Sequence, residues 1–462
     1  MTSEPAKLER DLGLVEATSL NMTFMVGIGP FVVIPLVVQA MGGVGSLVAW
    51  AAGGLLALLD GCIWAELGAA MPRAGGSYVY LREAYGAERW GRLLSFLYIW
   101  QTLFQGPLSV ASGALGFADY STYLTGRSQR VAGLVGTFGS HGKNAIAAAI
   151  VALVVVLLYR RIGAIGRISV VFSAIVIGTI LWIIWGGAAH FDAHRVFASS
   201  GENWNFSWLL FLALGHATVQ TAYSYLGYYN VCNLGGEMKN PEKNIPRAIF
   251  ISIIGIMLLY LLMQTSILSV IPSREIARSS YVASTFIERL HGPHWAAFAT
   301  ALILITALGS VFSAMLGYSR IPYAAAADGN FLRVFARVHP TKHFPHVSLL
   351  ALGAAALFFC LALKLAQTIR AILAMRCIIQ FIAQGVGLIL LRRRWGSEPG
   401  KLPFRMRLYP APVLIAIAGW AGIFLSTGTK PMLASLGAAT AGILVYLGRA
   451  RWLRHWPFEE IA

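Results

Sequence analysis

Charged residues are scarce in this sequence. Asp, Glu, Lys and Arg make up 12% of the 462 residues, whereas soluble domains carry roughly 25%, so a soluble globular fold is excluded. Cysteine is also rare, with no CxxC pair and no metal-ligand spacing, and we interpret the four residues as packing thiols: Cys62, Cys232, Cys360 and Cys377. The polar N-terminus is followed by no cleavage pattern of small residues, so we expect no cleaved signal peptide.

Long apolar segments dominate the rest of the chain, which is 57% hydrophobic. A bilayer-spanning helix needs about 20 mostly apolar residues, and the sequence predicts an all-α membrane protein with twelve transmembrane helices. The predicted spans are 14–41, 44–70, 91–122, 144–159, 168–188, 206–235, 247–271, 295–326, 346–363, 366–391, 411–426 and 431–448. Lys and Arg concentrate in alternate loops, which predicts a cell-membrane protein with both termini cytoplasmic. The formal charge of +17 then belongs to the loops, and no nucleic-acid partner is expected.

The first predicted span is interrupted at its midpoint by MVGIGPFVVIP, residues 25–35. Gly27 and Gly29 lower helix propensity, and Pro30 removes a backbone N–H. Lipid cannot pair the freed backbone groups, so a break here should line a cavity inside the protein. Pro30 would begin a second half-helix whose positive end faces an anionic group. The alternative is a proline-kinked helix with close glycine packing and no ligand.

A similar interruption, AYSYLGYYNVCNLGG at residues 222–236, falls in the sixth predicted span. It lies five spans after the first, and because five is an odd number, a second five-helix unit would be inverted in the membrane. Paired interrupted spans are typical of the midplane site of a transporter. The predicted organisation is a cytoplasmic tail (1–13), a first five-helix repeat (14–188), a second, inverted repeat (206–391), two peripheral helices (411–448) and a cytoplasmic tail (449–462).

Four stretches resemble the amino acid/polyamine/organocation (APC) superfamily of permeases, most closely the L-type amino-acid transporters and their bacterial relatives. They are VGIGPF in the first span, WAELGAAMPRAGGSYVYLREAYG from Trp64, GGEMKNPEKNIPRAI from Gly235 and GSVFSAMLGYSRIPYAAAADGNFLRVFARVHP from Gly309. The resemblance covers residues 14–395. It implies the leucine-transporter-like 5+5 inverted-repeat fold, with broken helices 1 and 6.

The resemblance also implies a substrate site. Backbone N–H groups of Ile28 and Gly29 would bind a carboxylate, and carbonyls near Tyr223, Ser224 and Leu226 would bind an ammonium group. An α-amino acid carries both charges at a fixed separation, so it is the expected substrate. The predicted substrate-binding residues are Val26, Gly27, Ile28, Gly29, Pro30, Gln101, Gln105, Tyr223, Ser224, Tyr225, Leu226, Gly227 and Tyr229.

Two parts of this predicted site have alternative interpretations. Tyr223 falls where members of the family place an aromatic gate over the substrate; alternatively, it is a buried tyrosine with a hydrogen-bonded hydroxyl. Gln101 and Gln105 form an i, i+4 pair in the third span and would line the cavity, or would bind a neighbouring helix instead.

Three departures from the family pattern bear on substrate and coupling. Ile28 occupies a position that is usually small or hydroxylated, which narrows the pocket. Tyr229 replaces the acidic residue of several bacterial relatives, so a neutral substrate is expected and a cationic amino acid or polyamine is the alternative. Ile175 and Val176 stand where many members place a lysine that substitutes for a sodium ion, which leaves the coupling mechanism open.

Few ionisable side chains lie inside the predicted spans, where a charge is costly. Asp60 is a candidate proton carrier; alternatively, it is solvated in the inner vestibule or paired with a loop arginine such as Arg82. Ser310 and Ser313 are candidates for a coupling-ion site, or else bind carbonyls of their own helix. Arg376 lies too deep in the tenth span to reach the surface, so it requires a partner within the protein.

Two other functions compete with transport. An intramembrane enzyme would need a nucleophile or a metal cluster, and the nearest signal is His190 with His194, which lack a third ligand. A channel would need a continuous polar stripe, whereas the polar groups cluster around two breaks. We therefore predict a permease, not an enzyme, that carries a neutral α-amino acid by alternating access. Proton coupling or exchange would drive it, with no cofactor and no metal.

Overall fold

A computed structural model of the chain describes residues 8–125, 142–197, 208–362 and 372–458, apart from 397 and 399. These residues are mainly helical, and the isolated β-bridges among them join Leu12 to Met238 and Ala74 to Leu234. The principal helices are α1 (Leu14–Met25), α2 (Gly29–Met41), α3 (Gly45–Ala70), α4 (Ser77–Ala84), α5 (Trp90–Thr125), α6 (Gly142–Leu158), α7 (Ile162–Ala189), α8 (Trp208–Tyr225), α9 (Asn230–Asn233), α10 (Pro241–Val270), α11 (Val282–His291), α12 (Pro293–Ala327), α13 (His346–Ala362), α14 (Ile372–Trp395), α15 (Ala411–Ser426) and α16 (Thr429–Leu453). Shorter helical turns are Ala193–Phe197, Gly235–Glu237, Ser273–Ile276 and Arg333–Ala336; α14 contains the π-helical turn Cys377–Ile382.

Among the described residues, six single helices are long and apolar enough to cross a membrane: α3, α7, α10, α12, α14 and α16. The bent pair α1 and α2 adds a seventh candidate span, and α6, α13 and α15 are shorter apolar helices. The described residues therefore confirm an all-α protein with several helices long and apolar enough to span a membrane. The count of twelve spans stays a prediction. The predicted beginnings of the sixth and tenth spans, at 206 and 366, lie outside the described residues.

The predicted interruption of the first span is present. Helix α1 ends at Met25 and α2 begins at Gly29, and the two axes differ in direction by 46°. Pro30 lies in the first turn of α2, where its missing N–H costs no intrahelical hydrogen bond. Gly27 faces α12 so closely that an added Cβ would lie 2.5 Å from the Ser310 hydroxyl oxygen. A side chain at this position would therefore require Ser310 or the helix that carries it to move.

The second interruption follows α8, which ends at Tyr225 before a turn that leads into the short helix α9. Gly227 in this turn has φ +127°, a conformation that is readily available to glycine alone. A Cβ on Gly227 would lie 2.9 Å from the backbone nitrogen of Met25. The two breaks therefore lie directly against each other, and the helices around them form the centre of the molecule.

Packing differs between the centre and the edge. Helix α12 contacts α5, α7 and α1, and 72% of its most apolar 18-residue stretch is buried. Helix α16 packs mainly on α5, and only 17% of its most apolar 18-residue stretch is buried. Its exposed side is apolar, with Leu433 and Leu444 among the exposed residues, as expected of a helix that faces lipid on most sides.

Candidate substrate site

A small cavity lies where the two breaks meet. It is bounded by α1, α2, α5, α8, α12 and α14. The space that the centres of water molecules can occupy measures about 40 Å³, which is room for only a few waters. Its lining residues are Phe24, Met25, Gly27, Ile28, Gly29, Ser109, Ser112, Gly113, Tyr223, Ser224, Leu226, Ser310, Ile372 and Arg376. Six of the predicted substrate-binding residues are therefore brought together around one space.

The start of α2 offers hydrogen-bond donors to this cavity. The first N–H groups of a helix have no intrahelical acceptor, and Ile28 and Gly29, which line the cavity, stand at that position. The helix dipole adds partial positive charge at the same point. A carboxylate placed between the breaks would therefore meet donors and a favourable field.

The carbonyl groups of the second break are less free than the sequence predicts. The Tyr223 carbonyl accepts the N–H of Leu226 at 3.2 Å, and the Ser224 carbonyl accepts the Tyr260 hydroxyl at 3.2 Å. The same hydroxyl lies 2.9 Å from the Met25 carbonyl. Each carbonyl oxygen has a second lone pair, so an ammonium group would share these acceptors. Tyr260, a single aromatic polar residue in the apolar helix α10, ties the two breaks together and was not predicted.

Tyr223 crosses the cavity from α8. Its hydroxyl lies 3.2 Å from the Ser112 hydroxyl on α5, and a Cβ on Gly29 would lie 3.4 Å from its ring. The ring therefore stands beside the N-terminus of α2, as the predicted gate requires. Its hydroxyl is also hydrogen-bonded, as the alternative interpretation requires, so the gate stays a prediction.

Several predicted site residues lie away from the cavity lining. The Tyr225 hydroxyl donates to the Trp50 carbonyl at 3.1 Å and so faces α3. Gln105 donates to Gln380 at 3.4 Å, which fits the alternative of a helix-to-helix hydrogen bond. Val26, Pro30, Gly227 and Tyr229 also lie outside the lining. Gln101 lines a different pocket, between α5, α14 and α16.

Asp60 on α3 is buried, with 1% of its surface exposed. It accepts a 2.5 Å hydrogen bond from the Tyr228 hydroxyl in the second break. The predicted alternatives are wrong. Asp60 is too deeply buried to be solvated in a vestibule, and Arg82 binds Asp328 at 2.8 Å instead. Tyr228 and the cavity-lining residue Tyr223 project from the same interrupted segment. Asp60 is therefore linked to the break although it does not line the cavity.

Arg376 on α14 is one of the lining residues that were not predicted as part of the site. It lines the cavity and is 1% exposed. Its guanidinium donates to the hydroxyl groups of Tyr229 and Tyr318, and to the Ser109 hydroxyl at 2.7 Å. The need for a partner was evident from its depth in the span. Its position is set by the packing of α14 against α5 and α12, which no local pattern reports.

The coupling candidates on α12 differ in their surroundings. The Ser310 hydroxyl donates to the Phe24 carbonyl at 3.2 Å, next to the first break. The Ser313 hydroxyl is buried and has no hydrogen-bond partner among the described residues. Ser310 therefore belongs to the cavity lining, and Ser313 lies one turn further along the same helix.

No metal site is found in the described part of the chain, where no three His, Cys, Asp or Glu side chains are grouped. His190 binds the Gly186 carbonyl of its own helix at 3.0 Å. The cysteines are free thiols in apolar surroundings, as interpreted from the sequence.

The sequence matches the model of the family described as amino acid permease over residues 12–444. It is 27% identical to a serine/threonine exchanger of Bacillus subtilis (strain 168) over 97% of this chain and 98% of that protein. The human Asc-type amino acid transporter 1 is 25% identical over 94% of this chain and 81% of its own. The human cationic amino acid transporter 4 is 28% identical over 85% of this chain, which spans only 61% of that longer protein.

Proposed function

The chain belongs to the amino acid permease family, and from this premise we propose that it carries an α-amino acid across a membrane by alternating access. The relatives described above are transporters by name, and the chain is a membrane transporter rather than an enzyme. The observation that supports the proposal most is the contact between the two breaks, Gly227 against Met25.

The substrate would be held through its zwitterionic end. N–H groups at the start of α2 would bind the carboxylate, and the carbonyls around Ser224 and Leu226 would share the ammonium group. The cavity is far smaller than typical ligand pockets, which measure about 300–1,000 Å³, so the lining has to open for loading. Tyr223, which stands across the cavity, is the residue proposed to move as the gate.

We also propose twelve spans in two inverted five-helix repeats, with both termini cytoplasmic in the cell membrane. The apolar helices and the paired breaks support this arrangement. Asp60 is proposed as the proton carrier, because it is buried and hydrogen-bonded to the second break. Ser310 and Ser313 stay candidates for an ion site. Exchange of one amino acid for another is the alternative to proton coupling, and one relative is an exchanger by name.

Flux measured in liposomes tests the proposal. Purified protein is reconstituted with an unlabelled mixture of amino acids inside, and uptake of each labelled amino acid is followed. We expect accumulation above equilibrium for at least one of them, driven by the internal amino acids or by a pH gradient. A channel would only equilibrate the label, and an enzyme would convert it. Absence of accumulation for every common amino acid would overturn the proposal.

Two glycine-to-alanine variants, one in the second break and one outside it, test the role of the break in transport. Gly227→Ala would place a Cβ 2.9 Å from the Met25 nitrogen at φ +127°, and strain of this kind costs about 1–3 kcal/mol. We expect uptake to fall by about tenfold or more. Gly422→Ala on α15, where an added Cβ meets nothing within 4 Å, is the control and should leave uptake unchanged. Equal uptake by the two variants would separate the break from transport.

A further inference from the structure

We infer that Arg376 binds a second carboxylate on the substrate, so that the protein prefers amino acids with an anionic side chain. The inference rests on the proposed function and specifies its substrate class. It departs from the neutral substrate expected from the sequence, because that expectation was based on Tyr229 and did not include Arg376 in the site. Three properties of Arg376 lead to it in steps: the missing counter-charge, the free donor and the charge balance of the loaded site.

The first step is the missing counter-charge. Within the part of the chain that the structure describes, no carboxylate lies within 4 Å of the Arg376 guanidinium, which contacts hydroxyl groups instead. The equally buried Arg320 is different, because it forms a two-pronged pair with Glu237 at 2.8 and 2.9 Å. A buried charge is costly unless it is paired. The counter-charge of Arg376 therefore has to come from elsewhere.

The second step is the free donor. A guanidinium has five N–H donors, and the described partners of Arg376 are three hydroxyl groups. Its Nε is buried and has no hydrogen-bond partner among the described residues. Because Arg376 lines the same cavity as Gly29 and Ser224, an oxygen ligand in that cavity can reach it. A carboxylate suits the planar fork of a guanidinium, which it can bind with both oxygens.

The third step is charge balance. A neutral α-amino acid is a zwitterion and would leave the positive charge of Arg376 uncompensated, whereas an acidic amino acid would bring one extra negative charge. A lysine-like substrate would add a second positive charge and be repelled. Asp60, the other buried charge near the second break, binds Tyr228 and lies outside the lining. The rings of Tyr228 and Tyr229 stand between the two charges, with centroids 5.1 Å apart.

The test compares glutamate with glutamine, which differ in side-chain charge but hardly in shape. Binding is measured by the rise in melting temperature of the purified protein with ligand concentration, and transport by competition for uptake of a labelled substrate in liposomes. We expect glutamate to bind at least about tenfold more tightly than glutamine, as a charge-assisted hydrogen bond allows, and lysine to bind least. In Arg376→Gln the ratio of glutamate to glutamine affinity should fall to about one, with glutamine binding retained.

Two further variants exclude a merely structural effect. Arg376→Lys should keep a preference for glutamate, because the charge remains. The double variant Arg320→Gln with Glu237→Gln removes a buried pair elsewhere, and should leave the affinity ratio unchanged. The wild-type ratio decides the matter even if Arg376→Gln does not fold: glutamine binding as well as glutamate would overturn the inference and leave amino acid transport intact. Failure of every common amino acid to bind or accumulate would instead overturn the proposed function itself.

Discussion

Buried charges fall into two groups in this protein. Arg320 and Glu237, both almost fully buried, form a closed ion pair with two hydrogen bonds. Asp60 and Arg376 are equally buried, but within the described residues each contacts only neutral groups, most of them hydroxyls of tyrosine. Paired charges satisfy each other and need nothing further. The unpaired charges keep unused capacity for a proton or a ligand.

The location of the two groups matches this difference. Glu237 follows α9 and binds α12 outside the cavity lining. Asp60 and Arg376 are joined instead to neighbouring residues of the second break, Tyr228 and Tyr229. The segment that interrupts the sixth predicted span therefore lies between a buried acid and a buried base. Both charged groups therefore contact the second break through a tyrosine hydroxyl.

The largest loss of stability is expected from breaking the ion pair between Arg320 and Glu237. Arg320→Gln leaves the Glu237 carboxylate buried without a cation, and breaking a buried pair costs about 3–5 kcal/mol of unfolding free energy. Chemical denaturation in detergent, monitored by tryptophan fluorescence, measures the loss. The double variant Arg320→Gln with Glu237→Gln should recover most of the stability, because no lone charge remains. A single variant as stable as the wild type would show that the pair does not hold the fold.

A smaller loss of stability is expected where the variant removes a hydrogen bond from a neutral donor instead of an ion pair. Tyr260→Phe removes the hydroxyl that binds the carbonyls of Met25 and Ser224, and an unsatisfied buried acceptor costs about 1–3 kcal/mol. Because this hydroxyl ties the two breaks, uptake should fall as well as the melting temperature. Tyr85→Phe, which removes a 2.7 Å hydrogen bond to the Ala383 carbonyl, is the control. It should lower stability without changing uptake per folded molecule, and an equal loss of uptake would contradict the tie.

Local sequence chemistry was sufficient to predict the breaks. Glycine and proline lower helix stability in the interior of a helix, and proline is tolerated in the first turn. The ends of α1 and α8 and the position of Pro30 therefore follow from a few residues each. Gly27, Gly29 and Tyr223 were predicted to share a cavity, and they do. This placement follows from the sequence because the interruption and this part of the cavity lining are the same stretch of backbone.

The partners of buried polar side chains could not be predicted in this way. Arg82 was named as a possible partner of Asp60, but Asp60 binds Tyr228, which lies 168 positions away in the chain. The Tyr229 hydroxyl binds Arg376 on α14. These contacts depend on the rotation and depth of each helix relative to its neighbours, and a single sequence gives the depth only roughly. The position of Arg376 in the cavity lining could not be predicted for the same reason.

The smallest effect on stability and the sharpest on function are expected at Asp60. Asp60→Asn keeps an acceptor for the Tyr228 hydroxyl and leaves no cation without a partner, so unfolding free energy should change by about 1 kcal/mol or less. If Asp60 carries the coupling proton, the amide cannot, and uptake in liposomes should lose its dependence on external pH. Asp119→Asn, in an exposed pair with Lys143, is the control and should keep that dependence. Uptake by Asp60→Asn that still follows pH would assign proton coupling to another group, and would make Asp60 a structural acid that differs from Glu237 only in lacking a cation.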